Sequence, residues 1–132
     1  MQKKFIVTSS EGFRASLKEI ANWSDKELSH LSIPSDKKWI PSLCLEEVVT
    51  NIILHGIEHF PSEILIDISL QTEGLLKLSI VDTGKFFDIL SHISVRKENQ
   101  VGGGGIPLIR SLMNIEQKCE KGHNFTILYL KF

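Results

Sequence analysis

The sequence predicts an α/β two-layer sandwich, with helices packed on one face of a mixed β-sheet. Three observations lead there. Apolar residues recur at helical spacing over two stretches of the first half, β-favouring runs are joined by short turns in two places, and the elements follow the order βααββαββ. Grouped helices and hairpin-linked strands suit helices stacked on one side of a sheet.

The elements follow in order. "KFIVTSS" (4–10) is a short β-favouring run, and Ser9 and Ser10 can cap a following helix through their hydroxyl oxygens. From Glu11 the apolar residues Phe13, Leu17, Ile20, Ala21, Leu28 and Leu31 keep a near-helical period, interrupted around "NWSD" (22–25). "SIPSDKK" (32–38) breaks that period. A second helix is expected to begin between Ser35 and Pro41, because proline is tolerated in a first turn, and to run to about His59, ahead of Pro61. "EILIDISL" (63–70) and "LLKLSIV" (75–81), separated by "QTEG", read as an antiparallel hairpin. Residues 85–101 show no clean period and give way to four glycines, so they are the expected mobile segment. "IPLIRSLMN" (106–114) is a short helix with Pro107 in its first turn, and "IEQKCE", the turn "KGHN" and "FTILYLKF" form a final hairpin.

Composition narrows the function classes. A chain of 132 residues suits one domain, here residues 1–132, and 42% hydrophobic with 23% charged residues is ordinary for a soluble globular protein. A formal net charge of −1, a pI near 6.5 and the absence of a Lys/Arg run speak against direct nucleic-acid binding. No stretch approaches the ~20 apolar residues of a membrane span, and the apolar run near the N-terminus is too short for a signal peptide. Cys44 and Cys119 form no CxxC pair and suit a reducing compartment, so a cytoplasmic location is expected.

Three stretches carry chemistry. In "LEEVVTNIILHG" (45–56), Glu47, Asn51 and His55 stand four residues apart, which places them in a slowly drifting row on one helix face. Such a row can line a pocket floor, the carboxylate accepting a proton and the amide oxygen coordinating Mg²⁺; on spacing alone it can equally be a solvated stripe. His55 and His59 are a helical turn apart, yet Gly56 follows the first histidine where the zincin pattern needs Glu, and no third metal ligand is evident. In "SIVDTGKFFD" (79–88) a strand runs into Asp82 and Gly84. An aspartate there can accept a hydrogen bond from an exocyclic amine while the glycine backbone passes beside a flat ring, and an ordinary turn would look the same. In "VGGGGIPLIRSLMN" (101–114), Gly102, Gly103, Gly104 and Gly105 precede a helix. Unhindered N–H groups at that position suit phosphates, and a flexible linker is the other reading. Neither the Rossmann nor the Walker A pattern is met.

In this order, the three stretches resemble the ATP-binding boxes of the Bergerat fold, shared by gyrase, histidine kinases and MutL and called GHKL. More narrowly, "EEVVTNIILHG" with "GGGGIPLIRSLMN" resembles the anti-sigma-factor serine/threonine kinases of the RsbW type over nearly the whole chain. That resemblance implies roles position by position. Glu47 matches the catalytic carboxylate, Asn51 the Mg²⁺-binding amide, and His55 with Gly56 completes that box. Asp82 matches the residue that binds the adenine amine and Gly84 the glycine beside it. Gly103 and Gly105 match the glycines around the triphosphate, within the cradle Gly102 to Gly105, and residues 85–101 become an ATP lid. "DTGKFFD" lacks the second glycine of the common DxGxG box but resembles the DxGxxFD form of many anti-sigma kinases; Asn114 stands where Asp is usual, at an expected helix C-terminus.

The resemblance further implies ATP and Mg²⁺ as cofactors, and as partners an anti-anti-sigma (STAS) protein, phosphorylated on Ser or Thr, and a sigma factor held by partner switching, in a homodimer. Arg110 or Lys97 would reach phosphate. The rival expectation from another class is a catalytically inactive nucleotide-binding or sequestration-only regulator of the same fold. Intact Glu47 counts against that rival, and the chain's length counts against a separated sensor-kinase domain or a gyrase-like ATPase.

Overall fold

The computed structural model describes residues 1–9, 11–72, 74–86, 88 and 111–132. Five strands form one sheet in the order β1-β2-β3-β5-β4, where β1 is Gln2–Val7, β2 Ser62–Thr72, β3 Leu75–Asp82, β4 Asn114–Glu120 and β5 His123–Lys131. Helices α1 (Phe13–Ser29) and α2 (Trp39–Asn51) lie between β1 and β2 in the chain. The expected two-layer arrangement of helices on a sheet is present.

Every strand pairing among the described residues is antiparallel, which corrects the expectation of a mixed sheet. Two features of the path explain it. Val7, the last residue of β1, pairs with Ser62, the first of β2, so the chain leaves and re-enters the sheet at the same end and the two helices carry it out and back. β3 and β4 do run in the same direction, but β5 lies between them and is antiparallel to both.

Period-two alternation decides the inner face. Ile64, Ile66 and Ile68 of β2, Leu76, Leu78 and Ile80 of β3, and Leu128 and Leu130 of β5 are buried. Against them pack Ile20 and Leu28 of α1 and Cys44, Leu45, Val48 and Val49 of α2. Side chains of this size each contribute about 1.5–3 kcal/mol when fully removed from water. α1 runs unbroken through the expected interruption at residues 22–25, because Ser24 turns its hydroxyl back onto the Ala21 carbonyl at 3.0 Å and is buried without an unmet donor. Trp23, beside it, meets Phe5 of β1 edge to face at 5.4 Å between ring centroids.

Local signals are met in most places. The helix-start reading at Ser9 is altered: its hydroxyl accepts the N–H of Gly12 at 3.1 Å, closing the turn before α1 rather than capping the helix, whose first flanking residue is Gly12 itself. The final hairpin turns on Lys121 (φ 52°) and Gly122 (φ 77°), with Glu120 paired to His123. Two consecutive positive φ values define the type I′ turn, whose twist matches that of the strands, and Gly122 takes the left-handed position without strain. Asn114 opens β4 opposite Tyr129 instead of closing a helix, so its difference from Asp bears on a strand end. Among the described residues no helix is long and apolar enough to cross a membrane.

Candidate functional site

α2 gives way at Asn51 to a π-helical turn over Ile52–Gly56, closed by the Ile57 N–H on the Ile52 carbonyl at 2.9 Å. The helical run therefore stops at Gly56, short of the expected His59. Its end is fixed by a tertiary contact: the Lys85 N–H donates to the Gly56 carbonyl at 2.6 Å. A Cβ on Gly84 would lie 2.5 Å from that same carbonyl oxygen and 2.7 Å from its carbon, and one on Gly56 would lie 3.2 Å from the Lys85 carbonyl. Two glycines thus let the end of the helix and the end of β3 touch backbone to backbone. Wide helical turns of this kind are frequent at functional sites, and they shift the side chains that follow out of the α-helical phase.

That shift separates the three-residue row. Glu47 and Asn51 remain on the α-helical part and are half-buried, while His55 is exposed. The Asn51 amide donates Nδ2–H to the Glu47 carbonyl at 2.8 Å. This bond uses the amide nitrogen and leaves Oδ1, a hard oxygen, as the atom that can act as an acceptor or ligand. Glu47 also acts on its neighbour Cys44. Burial first, and the Glu47 charge second, push the Cys44 thiol up to about 12, so this cysteine is an inert packing residue.

The helix end docks onto the turn that follows β3, and Ile52 of the π-helical turn lines one pocket with Asp82. Asp82 is only 3% exposed, and its Oδ1 accepts the Gly84 N–H at 3.0 Å and the Asn124 Nδ2–H at 3.0 Å. Burial raises the pKa of the carboxyl above its ordinary value, and the two donated hydrogen bonds pull it part of the way back. Oδ2 takes no partner among the described residues, and none of their buried polar side-chain atoms lacks one, so Oδ2 opens onto accessible space. Asp82 lines a small pocket of about 10 Å³ with Ile52, Lys85, Phe86, Gln117, Asn124 and Thr126, room for a group the size of one water or amine.

Sequence reasoning missed Asn124, Thr126 and Gln117. Asn124 pairs directly with Asp82 across the β3–β5 ladder, Thr126 follows two residues later on the same inner face, and Gln117 of β4 stands opposite Thr126, with Nε2 3.4 Å from its hydroxyl. The signal lay in the alternation of β5. Extended backward by twos from Leu130 and Leu128, the inner face reaches Thr126 and Asn124, both below 5% exposed. The inner face thus turns polar at one end, where it borders the small pocket beside Asp82.

Other expected site residues fall elsewhere. Gly102, Gly103, Gly104, Gly105, Lys97, Arg110 and all of the expected lid (85–101) except Lys85, Phe86 and Asp88 lie outside the described residues. Among the described residues no cluster of three His, Cys, Asp or Glu side chains could hold a metal. The donor set fits Mg²⁺ better, since that ion keeps several waters and takes one or two protein oxygens together with phosphates; Asn51 Oδ1 is such an oxygen.

With these contacts in place, comparison with known proteins decides the family. The family model described as the histidine kinase-like ATPase domain matches residues 13–129. The chain belongs to that family. Its fold is the Bergerat fold, and the protein is a GHKL-type ATP-binding domain. The histidine kinase domain of the blue-light activated histidine kinase from Erythrobacter litoralis EL346 superposes with a TM-score of 0.56 at 14% identity, covering 89% of this chain and 59% of that one. A second structure of that kinase gives a TM-score of 0.60 at 15% identity, covering 89% and 41%. At such identity the likeness concerns the fold, and this chain spans between two fifths and three fifths of those proteins. No curated protein matches the chain.

The glycine pair of this GHKL domain has a stability consequence. Gly84→Ala should cost about 2 kcal/mol, the usual scale for forcing a methyl group into filled space, because the obstacle is backbone and not a flexible side chain. Denaturant unfolding checks it; an unchanged midpoint would mean that the Gly56–Gly84 contact contributes nothing.

Proposed function

We propose that this GHKL domain is an anti-sigma regulatory factor, a Mg·ATP-dependent serine/threonine kinase that phosphorylates an anti-anti-sigma (STAS) protein and holds a sigma factor in alternation with it. The observation that supports the reading is the docking of the helix that carries Glu47 and Asn51 onto the Asp82–Gly84 turn through Gly56. The anti-sigma part rests on the resemblance of "EEVVTNIILHG", "DTGKFFD" and "GGGGIPLIRSLMN" to the RsbW type.

Phosphoryl transfer asks the protein mainly for positioning and charge stabilisation. Asp82 Oδ2 receives the exocyclic amine of adenine. Asn51 Oδ1 would hold Mg²⁺, which would supply positive charge beside the transferred group. By the family resemblance, Gly102 to Gly105 would meet the phosphates. Glu47 orients and deprotonates the incoming hydroxyl. A new phosphate brings roughly two negative charges to the STAS surface, which favours its release and frees the kinase for sigma.

Isothermal titration with Mg·ATP and Mg·ADP on the wild type and on Asn51→Ala tests the nucleotide half. Metal-dependent binding should weaken roughly 10-fold or more in the variant, with equal residual affinity in EDTA; no binding at millimolar nucleotide would leave a sequestration-only regulator. Labelled ATP with candidate STAS proteins then tests the kinase half, and transfer to none of them would sink it.

A further inference from the structure

Asn124 occupies an unusual position: a primary amide, 4% exposed, inside a strand and directly opposite Asp82. Its Nδ2 donates twice, to Asp82 Oδ1 at 3.0 Å and to the Gly84 carbonyl at 2.7 Å. An amide nitrogen has two hydrogens, so both are used, and the orientation of the group is settled by its partners. The remaining atom is Oδ1. It accepts nothing among the described residues, and since none of their buried polar side-chain atoms lacks a partner, Oδ1 keeps an accessible surface. Asn124 lines the same pocket as Asp82.

The pocket therefore offers two acceptors, Asp82 Oδ2 and Asn124 Oδ1, held in fixed relation by the bond between the two side chains. A purine with a 6-amino group carries two hydrogens on one nitrogen, and a 6-oxo purine carries none there. We propose that Asn124 is a second base-recognition residue, its Oδ1 accepting one hydrogen of the exocyclic amine while Asp82 accepts the other. This inference rests on the pocket being the adenine site. It goes beyond that reading by making selectivity depend on both hydrogens and on a residue of β5.

The same amide also acts as a brace. By bonding the Gly84 carbonyl it ties the Asp82–Gly84 turn to β5, so the turn that meets Gly56 and the carboxylate that meets the base are held by one side chain. A brace alone would leave the pocket indifferent to the second hydrogen.

The test uses that difference. ATP, its 6-methylamino analogue and its 6-dimethylamino analogue are titrated against the wild type, Asn124→Ala and Asn124→Val, the last chosen because a β-branched residue suits the strand. Wild type should lose roughly 10-fold in affinity for each hydrogen removed. In both variants the first methylation should cost less than about twofold, while the second still costs as much as before. Should the variants not fold, the wild-type series decides: a 6-methylamino analogue that binds as well as ATP overturns the proposal. An equal cost of the first methylation in wild type and folded variants overturns it as well. Failure of the wild type to bind ATP at all would instead remove the adenine-site reading on which it rests.

Discussion

Asp82→Asn should lower ATP affinity about 100-fold, the scale of a lost hydrogen bond to a charged acceptor, and at the same time raise the stability of the fold. The affinity half follows from the bonds already present. Asn124 and the Gly84 N–H both donate to Oδ1, so the amide in the variant must keep its oxygen there and turn its NH₂ into the pocket. A donor then faces the donor amine of adenine. A 6-oxo purine nucleotide, repelled by the wild-type carboxylate, should gain relative to ATP, and a titration with both nucleotides reads the change. An unaltered preference for ATP would mean that the base lies elsewhere.

The stability half follows from burial. Desolvation raises the Asp82 carboxyl above its unfolded value more than its two hydrogen bonds lower it. A raised carboxyl contributes stability that is fully present below the unfolded pKa, about 3.9, and is lost as pH rises through the folded value. As pH rises the wild type must ionise a buried carboxyl that the variant lacks, so at neutral pH the variant should be more stable, by about 1 kcal/mol. The difference should be smallest at acid pH, below the unfolded value. Thermal melts of both proteins between pH 3 and pH 8 give the answer directly, and a variant less stable at pH 7 would show that the carboxylate is better accommodated than its burial indicates.

This trade of stability for recognition explains which parts of the molecule were legible in its sequence. Ile64, Ile66 and Ile68 of β2 and Leu76, Leu78 and Ile80 of β3 announce a half-buried hairpin, because period-two burial is a local property of a strand. Glu47 and Asn51 announce a shared helix face for the same reason. Where the outcome depends on a residue distant in sequence, the local pattern is silent. The end of the second helix is set by Gly84 and Lys85 pressing on Gly56, so no capping signal marks it. The sheet is antiparallel and not mixed because β5 enters between β3 and β4, a choice made by the last residues of the chain. Asn124 was read as part of a turn, yet its register opposite Asp82 makes it the polar end of the inner face. Asp82 itself was found by its glycine, although Gly84 is needed chiefly for the contact with Gly56, on grounds of space.

Glu47→Gln should leave Mg·ATP affinity within about twofold of wild type and reduce phosphoryl transfer to a STAS protein by about 10² to 10⁴, the usual contribution of a positioned general base. The reason for the split lies in where Glu47 sits. It is one helical turn before Asn51 and is joined to it through its backbone carbonyl, not its carboxylate. Replacing the carboxylate by an amide of the same shape therefore keeps the bond that orients Asn51. What is lost is the charge that bears on Cys44 and, on the proposed kinase reading, the proton acceptor for the incoming hydroxyl. Binding and transfer measured on the same preparation separate the two effects. If transfer survives, the hydroxyl finds its base elsewhere and Glu47 is a helix-face residue; if nucleotide affinity falls with transfer, Glu47 belongs to the binding of Mg·ATP and the division of labour along the helix is different. A sequestration-only regulator would show neither change, since it transfers nothing and its hold on the nucleotide does not need the carboxylate.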